Sequence, residues 1–328
     1  MEADGSNVKR LTEDKLSLVT GGAWSPDGQR ILFHAVRQGD LELLVRYRTP
    51  MHYPLYVMDA TSGAGQKRLL DVPVLPEAKW SQDGKRIVFT SAFEDPDRED
   101  PGRGKDGRTS AALYVLEVAT GAYKRITRVG ETDVLPAPAW SPDGKRVAFT
   151  CGKRPEGSRE ICVVDADGTN QKPLTTRRGV AVTPAWSPDG RHAAFGVDGS
   201  ETGVYVIDQN GADLRQISES RGWNVAWSPD GKRLLTQAAR HFCIVDVEQK
   251  DCTRLSPGEG RVLDAVFSPD GRDVLFRSNE SGKDRIYAMK VDGTGRRMLS
   301  DGVGEDSLFA VSPLLRTVGD PGRAPIAP

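Results

Sequence analysis

Histidine and cysteine are scarce in this chain, with four of each among 328 residues, and no Cys-x-x-Cys occurs. A structural zinc site needs such ligands at short fixed spacings, so no metal site is expected, and no cofactor either. Runs of one charge are missing too: 45 basic residues face 46 acidic ones, for a net charge of -1. That balance argues against nucleic acid and anionic membrane as partners. Apolar runs stay at strand length, so no membrane insertion is expected. No Gly-x-Ser-x-Gly occurs, which removes the nucleophile elbow of the serine hydrolases. Residues 1–20 also lack the basic start and apolar stretch of a secretory signal.

What the chain does have is one five-residue turn written six times. It reads Trp24-Ser25-Pro26-Asp27-Gly28, with copies starting at Trp80, Trp140, Trp186, Trp227 and Phe267. Glycine (35) and proline (21) fall at regular points along these repeats, as turn residues do. The third copy shows the unit most clearly. Pro138-Ala139-Trp140-Ser141 is a short inner strand, Pro142-Asp143-Gly144 turns the chain, and residues 145–150 alternate as a second strand. A β-branched third strand, residues 161–165, is followed by a turn at Asp167-Gly168 and an outer strand at residues 173–175. Self-similarity at roughly 40 residues with short strands and tight turns predicts an all-β fold, a β-propeller of four-stranded antiparallel blades. The recurring aromatic is expected to fill the wedge between blades rather than to meet a ligand. Asp165-Ala166-Asp167-Gly168 has the start of a calcium loop but not its later ligands, and reads as a hairpin turn.

These residues resemble the TolB-like propeller repeat, whose unit runs Pro-x-Trp-Ser-Pro-Asp-Gly-Lys-Arg-Ile-Ala-Phe, then Ile-Tyr-Val-Met-Asp-x-Asp-Gly-Thr, then Arg-Leu-Thr. The likeness covers nearly the whole chain. It implies a usually extracytoplasmic, periplasmic type of propeller that binds proteins or small ligands, and it implies no fixed chemistry. Similar blades precede the catalytic domain of prolyl-oligopeptidase-like enzymes.

The ends fit the repeat in an unusual way. Residues 1–12 track residues 164–175, so the chain is read as starting inside a blade, with an upstream segment missing. Residues 308–315 look like the inner strand of a further unit. Six full units plus this split one predict seven blades, the last shared between the termini, with a six-bladed TolB-like ring as the alternative. Residues 1–319 are read as one propeller domain and 320–328 as a Pro/Gly-rich tail.

Two cysteine pairs, Cys151 with Cys162 and Cys243 with Cys252, each straddle a predicted hairpin. Cross-strand disulfides in an oxidising compartment and buried thiols are both compatible with that spacing.

Function should sit where repeats are interrupted. The first two units are the longest, and their insertions, residues 34–54 and 92–112, fall between second and third strands. Strand parity puts both on the face opposite the Asp-Gly turns. The first insertion carries Arg46, Arg48, His52 and Tyr53, suited to an anionic ligand. The second is rich in mixed charge and reads as a solvated loop. Links between blades add Glu77, Asp133, Asn224 and Asp264, and Trp223 is the one tryptophan outside the repeat position. Arg46, Arg48, His52, Tyr53, Asp133, Trp223 and Asp264 are therefore the candidate ligand-binding residues, and no catalytic set is recognisable.

The leading expectation is a non-catalytic, monomeric scaffold that binds a protein partner or small ligand on the loop-bearing face. The alternatives are a propeller lyase or hydrolase, and the propeller portion of a larger receptor or peptidase-like protein.

Overall fold

The structure, a computed structural model, describes residues 9, 11–12, 16–37, 53–70, 72, 74–75, 77–91, 111–127, 133–134, 137–152, 159–176, 179–219, 222, 224–238, 241–255, 260–300 and 312–313. Each turn motif begins a blade. In the third, the inner strand Ala139–Trp140 pairs with Arg146–Gly152, which pairs with Glu160–Asp165, which pairs with the outer strand Lys172–Pro173. Every pairing is antiparallel and follows chain order, and the same meander recurs in six sheets. The third sheet gains a short extra strand, Asp133–Val134, paired with Cys151 and Gly152.

The expectation of seven blades is corrected to six. A blade needs its own second and third strands, and among the described residues only the six units headed by the turn motif supply them. Of the pairing expected for a seventh, residues 308–315 against 8–12, only residues 9, 11–12 and 312–313 are among those described. Of those that are described, Leu11 packs with Phe33, Ala35, Tyr56 and Met58 of the first blade. Its carbonyl lies over Gly63 of the first blade, as the carbonyl of Leu174 in the third blade lies over Gly211 in the next.

The turn motif is a small hydrogen-bonded machine. In the third copy the Ser141 hydroxyl donates to Asp143 Oδ1 at 2.6 Å and receives the Arg146 N–H at 2.9 Å, while Asp143 Oδ1 also accepts the Lys145 N–H. Gly144, at φ 66°, turns the chain through a region closed to most side chains. Serine is thus buried but fully paired, which explains why it recurs. The hydrogen bond from Ser25 holds the Asp27 carboxyl below its ordinary pKa, and Ser187 does the same for Asp189.

Second and third strands are buried on both faces because each blade is sandwiched by neighbours. Val88, Leu113 and Val115 of the second blade, for instance, pack on Val147, Phe149 and Val164 of the third. The largest fully buried side chains include Phe33, Phe89, Phe149, Phe195 and Phe276 on second strands, and Phe242 on a third strand. Trp80 and Trp186 are buried, whereas Trp24, Trp140 and Trp227 are half-buried. The recurring tryptophan therefore bridges core and channel, and the phenylalanines carry the deepest packing.

Two further devices join blades. The indole N–H of each motif tryptophan from Trp80 onward donates to a carbonyl on the inner strand of the preceding blade: Trp80 to Ala23, Trp140 to Lys79, Trp186 to Ala139 and Trp227 to Ala185. On the other side, an arginine that opens a second strand lies over the aromatic of the next blade. Arg30 covers Trp80 at 4.7 Å, Arg86 covers Trp140 at 5.0 Å, and Arg146 covers Trp186 at 5.1 Å. Arg233 covers Phe267 in the same way at 5.8 Å. In the sixth blade Asp273 takes the arginine's place and pairs with Arg297 of its own sheet.

Candidate functional site

The six inner strands surround a cavity of about 820 Å³. Its wall is built by a rule the repeats supply. The residue three places before each motif aromatic lines it: Glu77, Ala137, Thr183, Asn224 and Asp264, in blades two to six. Several inner strands lose regular pairing here, with register shifts between Val182 and Ala185 and between Val262 and Asp264. Glu77, Ala137 and Thr183 have φ of 80°, 85° and 45°, conformations that cost a non-glycine residue about 1 kcal/mol or more. Strain of this kind aims side chains where a regular strand would not.

The charged groups at the wall differ in how far they are committed. Asp264 Oδ2 accepts two hydrogen bonds from Arg277, at 2.8 and 3.1 Å, and Arg277 also bonds Asp284 at 2.9 Å. Asn224 donates its amide N–H to Gln237 Oε1 at 3.2 Å. Glu77 and Lys79 line the cavity with exposed side chains, and neither has an ionic partner among the described residues.

His34 sits beside them. It belongs to the second strand of the first blade, Arg30–Arg37, is 3% exposed, and lines the same cavity. One ring nitrogen bonds the Tyr53 backbone, and Nδ1 has no partner. Burial pushes its pKa down to about 4, the Tyr53 backbone opposes that shift, and the Lys79 ammonium adds to it. The ring is therefore neutral at physiological pH, with Nδ1 an open acceptor.

Register locates the first insertion. Arg30 pairs with Asp59 at the Asp27-Gly28 end, and His34 pairs with Leu55 at the other end. The insertion thus leaves its blade opposite the Asp-Gly turn, with His34 and Tyr53 at its roots.

Of the residues singled out from sequence, Asp264 lines the cavity, held by Arg277. Tyr53 bridges to Val74, its N–H donating to the Val74 carbonyl at 2.9 Å. Asp133 is placed in the extra strand of the third blade. Arg46, Arg48, His52 and Trp223 lie outside the described residues. Sequence reasoning gave Lys79 no role and did not single out the orphaned nitrogen of His34. The available signal for Lys79 was its place one residue before a repeat aromatic, where the other blades carry alanine or valine. Among the described residues no three histidine, cysteine or carboxylate side chains gather as a metal site would require.

A ring of six blades, each built on a four-stranded antiparallel meander around a central cavity, defines a β-propeller, with non-repeating residues on the inner wall. The TolB beta propeller domain (PD40) matches residues 106–241 and 154–313, more than half of the chain. The chain belongs to that family. It is 26% identical over 237 residues to the Tol-Pal system protein TolB of Francisella tularensis subsp. mediasiatica, covering 69% of this chain and 50% of that protein. The chain thus spans about half the length of that relative. The crystal structure of TolB from Acinetobacter baumannii superposes with a TM-score of 0.57 at 25% identity, covering 85% of this chain and 65% of that one. An oligogalacturonate lyase from Vibrio parahaemolyticus shares the fold, with a TM-score of 0.66 at 12% identity over 88% of this chain and 80% of that one.

Proposed function

We propose that this chain is a non-catalytic binding scaffold acting outside the cytoplasm, holding a protein segment or small ligand on the face that bears residues 34–54 and 92–112. The observation that carries this reading is a division of labour among polar groups. Those that repeat, the serine and aspartate of each turn and the arginines over the aromatics, are used up in holding blades together. Those that do not repeat, Glu77, Lys79, Asn224 and Asp264, line the channel wall. An extracytoplasmic setting is supported by the TolB relatives and by two disulfides, Cys151–Cys162 and Cys243–Cys252, since such bonds persist in oxidising compartments.

The test is affinity capture with chemical cross-linking, followed by measured binding of the identified partner to wild type and to a variant carrying Arg46→Ala, Arg48→Ala and Trp223→Ala. Weakened binding with an unchanged circular dichroism spectrum supports the reading. Unchanged affinity moves the functional surface to the Asp-Gly face or the outer strands.

A further inference from the structure

Five of the six seams in the ring are filled by one apolar cluster that draws residues from both blades. Leu32 and Leu55 of the first blade share a cluster with Ile87 and Phe89 of the second, and Leu235 and Phe242 of the fifth share one with Val274 and Phe276 of the sixth. The seams between the second, third, fourth and fifth blades are built alike. Where the sixth blade meets the first, the described residues form two clusters instead. Leu275, Ala288 and Leu299 stay within the sixth blade, and Phe33, Ala35, Tyr56 and Met58 within the first. Both faces are buried, so the structure shows this seam shut. The arginine that covers the next aromatic is replaced here as well, because Asp273 stands in its place and turns back to Arg297 of its own sheet.

Lys9 and Leu11 lie against the first blade on this side. Residues 9–12, Lys-Arg-Leu-Thr, repeat the sequence at 124–127, Lys-Arg-Ile-Thr, around the outer strand of the second blade. Their contacts repeat too. Lys9 Nζ donates to the Thr61 carbonyl at 3.1 Å, as Lys124 Nζ donates to the Asp167 carbonyl at 2.8 Å between the second and third blades. The Leu11 carbonyl lies over Gly63 and accepts from Gln66 Nε2 at 3.2 Å, in the place that the Ile126 backbone takes over Gly168. The sixth blade keeps its own outer strand, Arg297–Met298, so Lys9 and Leu11 belong to an added strap that does for the first blade what a preceding outer strand does elsewhere. We propose that the ring opens at the seam between the sixth and first blades, and that the segment carrying Lys9 and Leu11 is the strap that keeps it shut. In a ring of repeats each blade is held by its neighbours, so the seam with the least shared packing opens at the lowest cost. The strap holds by one partly buried leucine and two hydrogen bonds. Gly22 and Ala23 of the first blade and Asp264, Ala265 and Val266 of the sixth line the cavity on either side of this seam, so opening it gives the channel a side entrance.

The inference rests on the fold and is independent of the scaffold reading. The experiment is hydrogen exchange of the full chain, read by mass spectrometry, in wild type, Gly63→Ala, Gly65→Ala and Leu11→Asp. A Cβ on Gly63 would strike the Leu11 carbonyl, whereas one on Gly65 meets nothing within 4 Å. Both glycines have left-handed backbone, φ 74° and 66°, so Gly65→Ala carries the same turn strain without touching the strap. In wild type the third strands of the first and sixth blades, Leu55–Asp59 and Arg285–Lys290, should exchange faster than that of the fourth, Gly203–Asp208. Gly63→Ala should raise exchange in the first two strands about tenfold or more above Gly65→Ala and leave the fourth blade unchanged. Leu11→Asp, which leaves every turn intact, should do the same. Equal protection of the three blades in wild type overturns the proposal, as do matching profiles for the two glycine variants or an unchanged profile for Leu11→Asp. A response confined to the first blade overturns it too, because the strap would then steady one blade without closing the ring.

Discussion

Cys162 stands directly across the sheet from Phe149, in the register position that tyrosine holds in four other blades. The equivalent pairs are Phe33 with Tyr56, Phe89 with Tyr114, Phe195 with Tyr205 and Phe276 with Tyr287, all with stacked rings. In the fifth blade Cys243 takes this position, opposite Thr236. The two blades without the aromatic stack are thus the two with a disulfide. Both bonds run diagonally between adjacent strands, with Cα separations of 5.9 and 5.6 Å, within the expected reach.

Both links should appear in non-reducing peptide maps of protein purified from an oxidising compartment. Cys151 and Cys162 are buried, whereas Cys252 lies exposed on an outer strand. Graded reduction should therefore open Cys243–Cys252 first. Each bond should contribute about 2 to 3 kcal/mol, read as the shift in denaturation midpoint on replacing the pair by serine.

Phe149 is fully buried between the second and third blades. Phe149→Ala should cost about 3 to 5 kcal/mol in urea unfolding. Trp140→Ala should cost less, because one side of the indole already meets the channel. Equal losses would mean that the wedge residue carries as much of the packing as the second-strand phenylalanine.

Arg86 lies over the Trp140 ring and donates to the Gly144 carbonyl at 2.8 Å. Arg86→Ala should lose about 1 to 2 kcal/mol, from cation–π contact and one charged hydrogen bond. Lysine at this place should recover only part of that, since it lacks the planar fork that stacks and donates together. A urea midpoint for Arg86→Lys equal to wild type would show that charge alone suffices.

His34 supplies a pH signature. Its pKa is about 4 in the folded protein and near 6.5 when free, so between those values the unfolded chain takes up a proton that the folded chain refuses. Stability present above pH 6.5 should fall as pH drops towards 4, by about 3 kcal/mol. His34→Phe should remove most of that slope. A smaller part should remain from His241, whose pKa is lowered by burial and by Arg254.

The repeat made the fold legible. Six copies of one turn specify six meanders, because each local choice agrees with the others: proline and glycine at the turn, alternation in the second strand, an aromatic at the wedge. Both cysteine pairs could be placed on their hairpins for the same reason. The number of blades was harder to read, since residues 1–12 and 308–315 carry the repeat's pattern without the two middle strands of a sheet. Reading loops as the place for function drew notice to Arg46, Arg48 and Trp223 and away from Lys79, which looked like one more repeat position.

The sequence by itself determined the blade, its turns, its strand order and which cysteines straddle each hairpin, since all of these arise from contacts within some forty residues of chain, whereas the structure decided that the cysteines are bonded. Only the tertiary structure decided what faces the channel. His34 in the first blade, Lys79 in the second and Asp264 in the sixth line one cavity because the blades are arranged around it, and no local periodicity encodes a contact between blades so far apart in the chain. The open Nδ1 of His34 is likewise a property of packing: burial stripped its water, and the fold supplied one partner where two were needed.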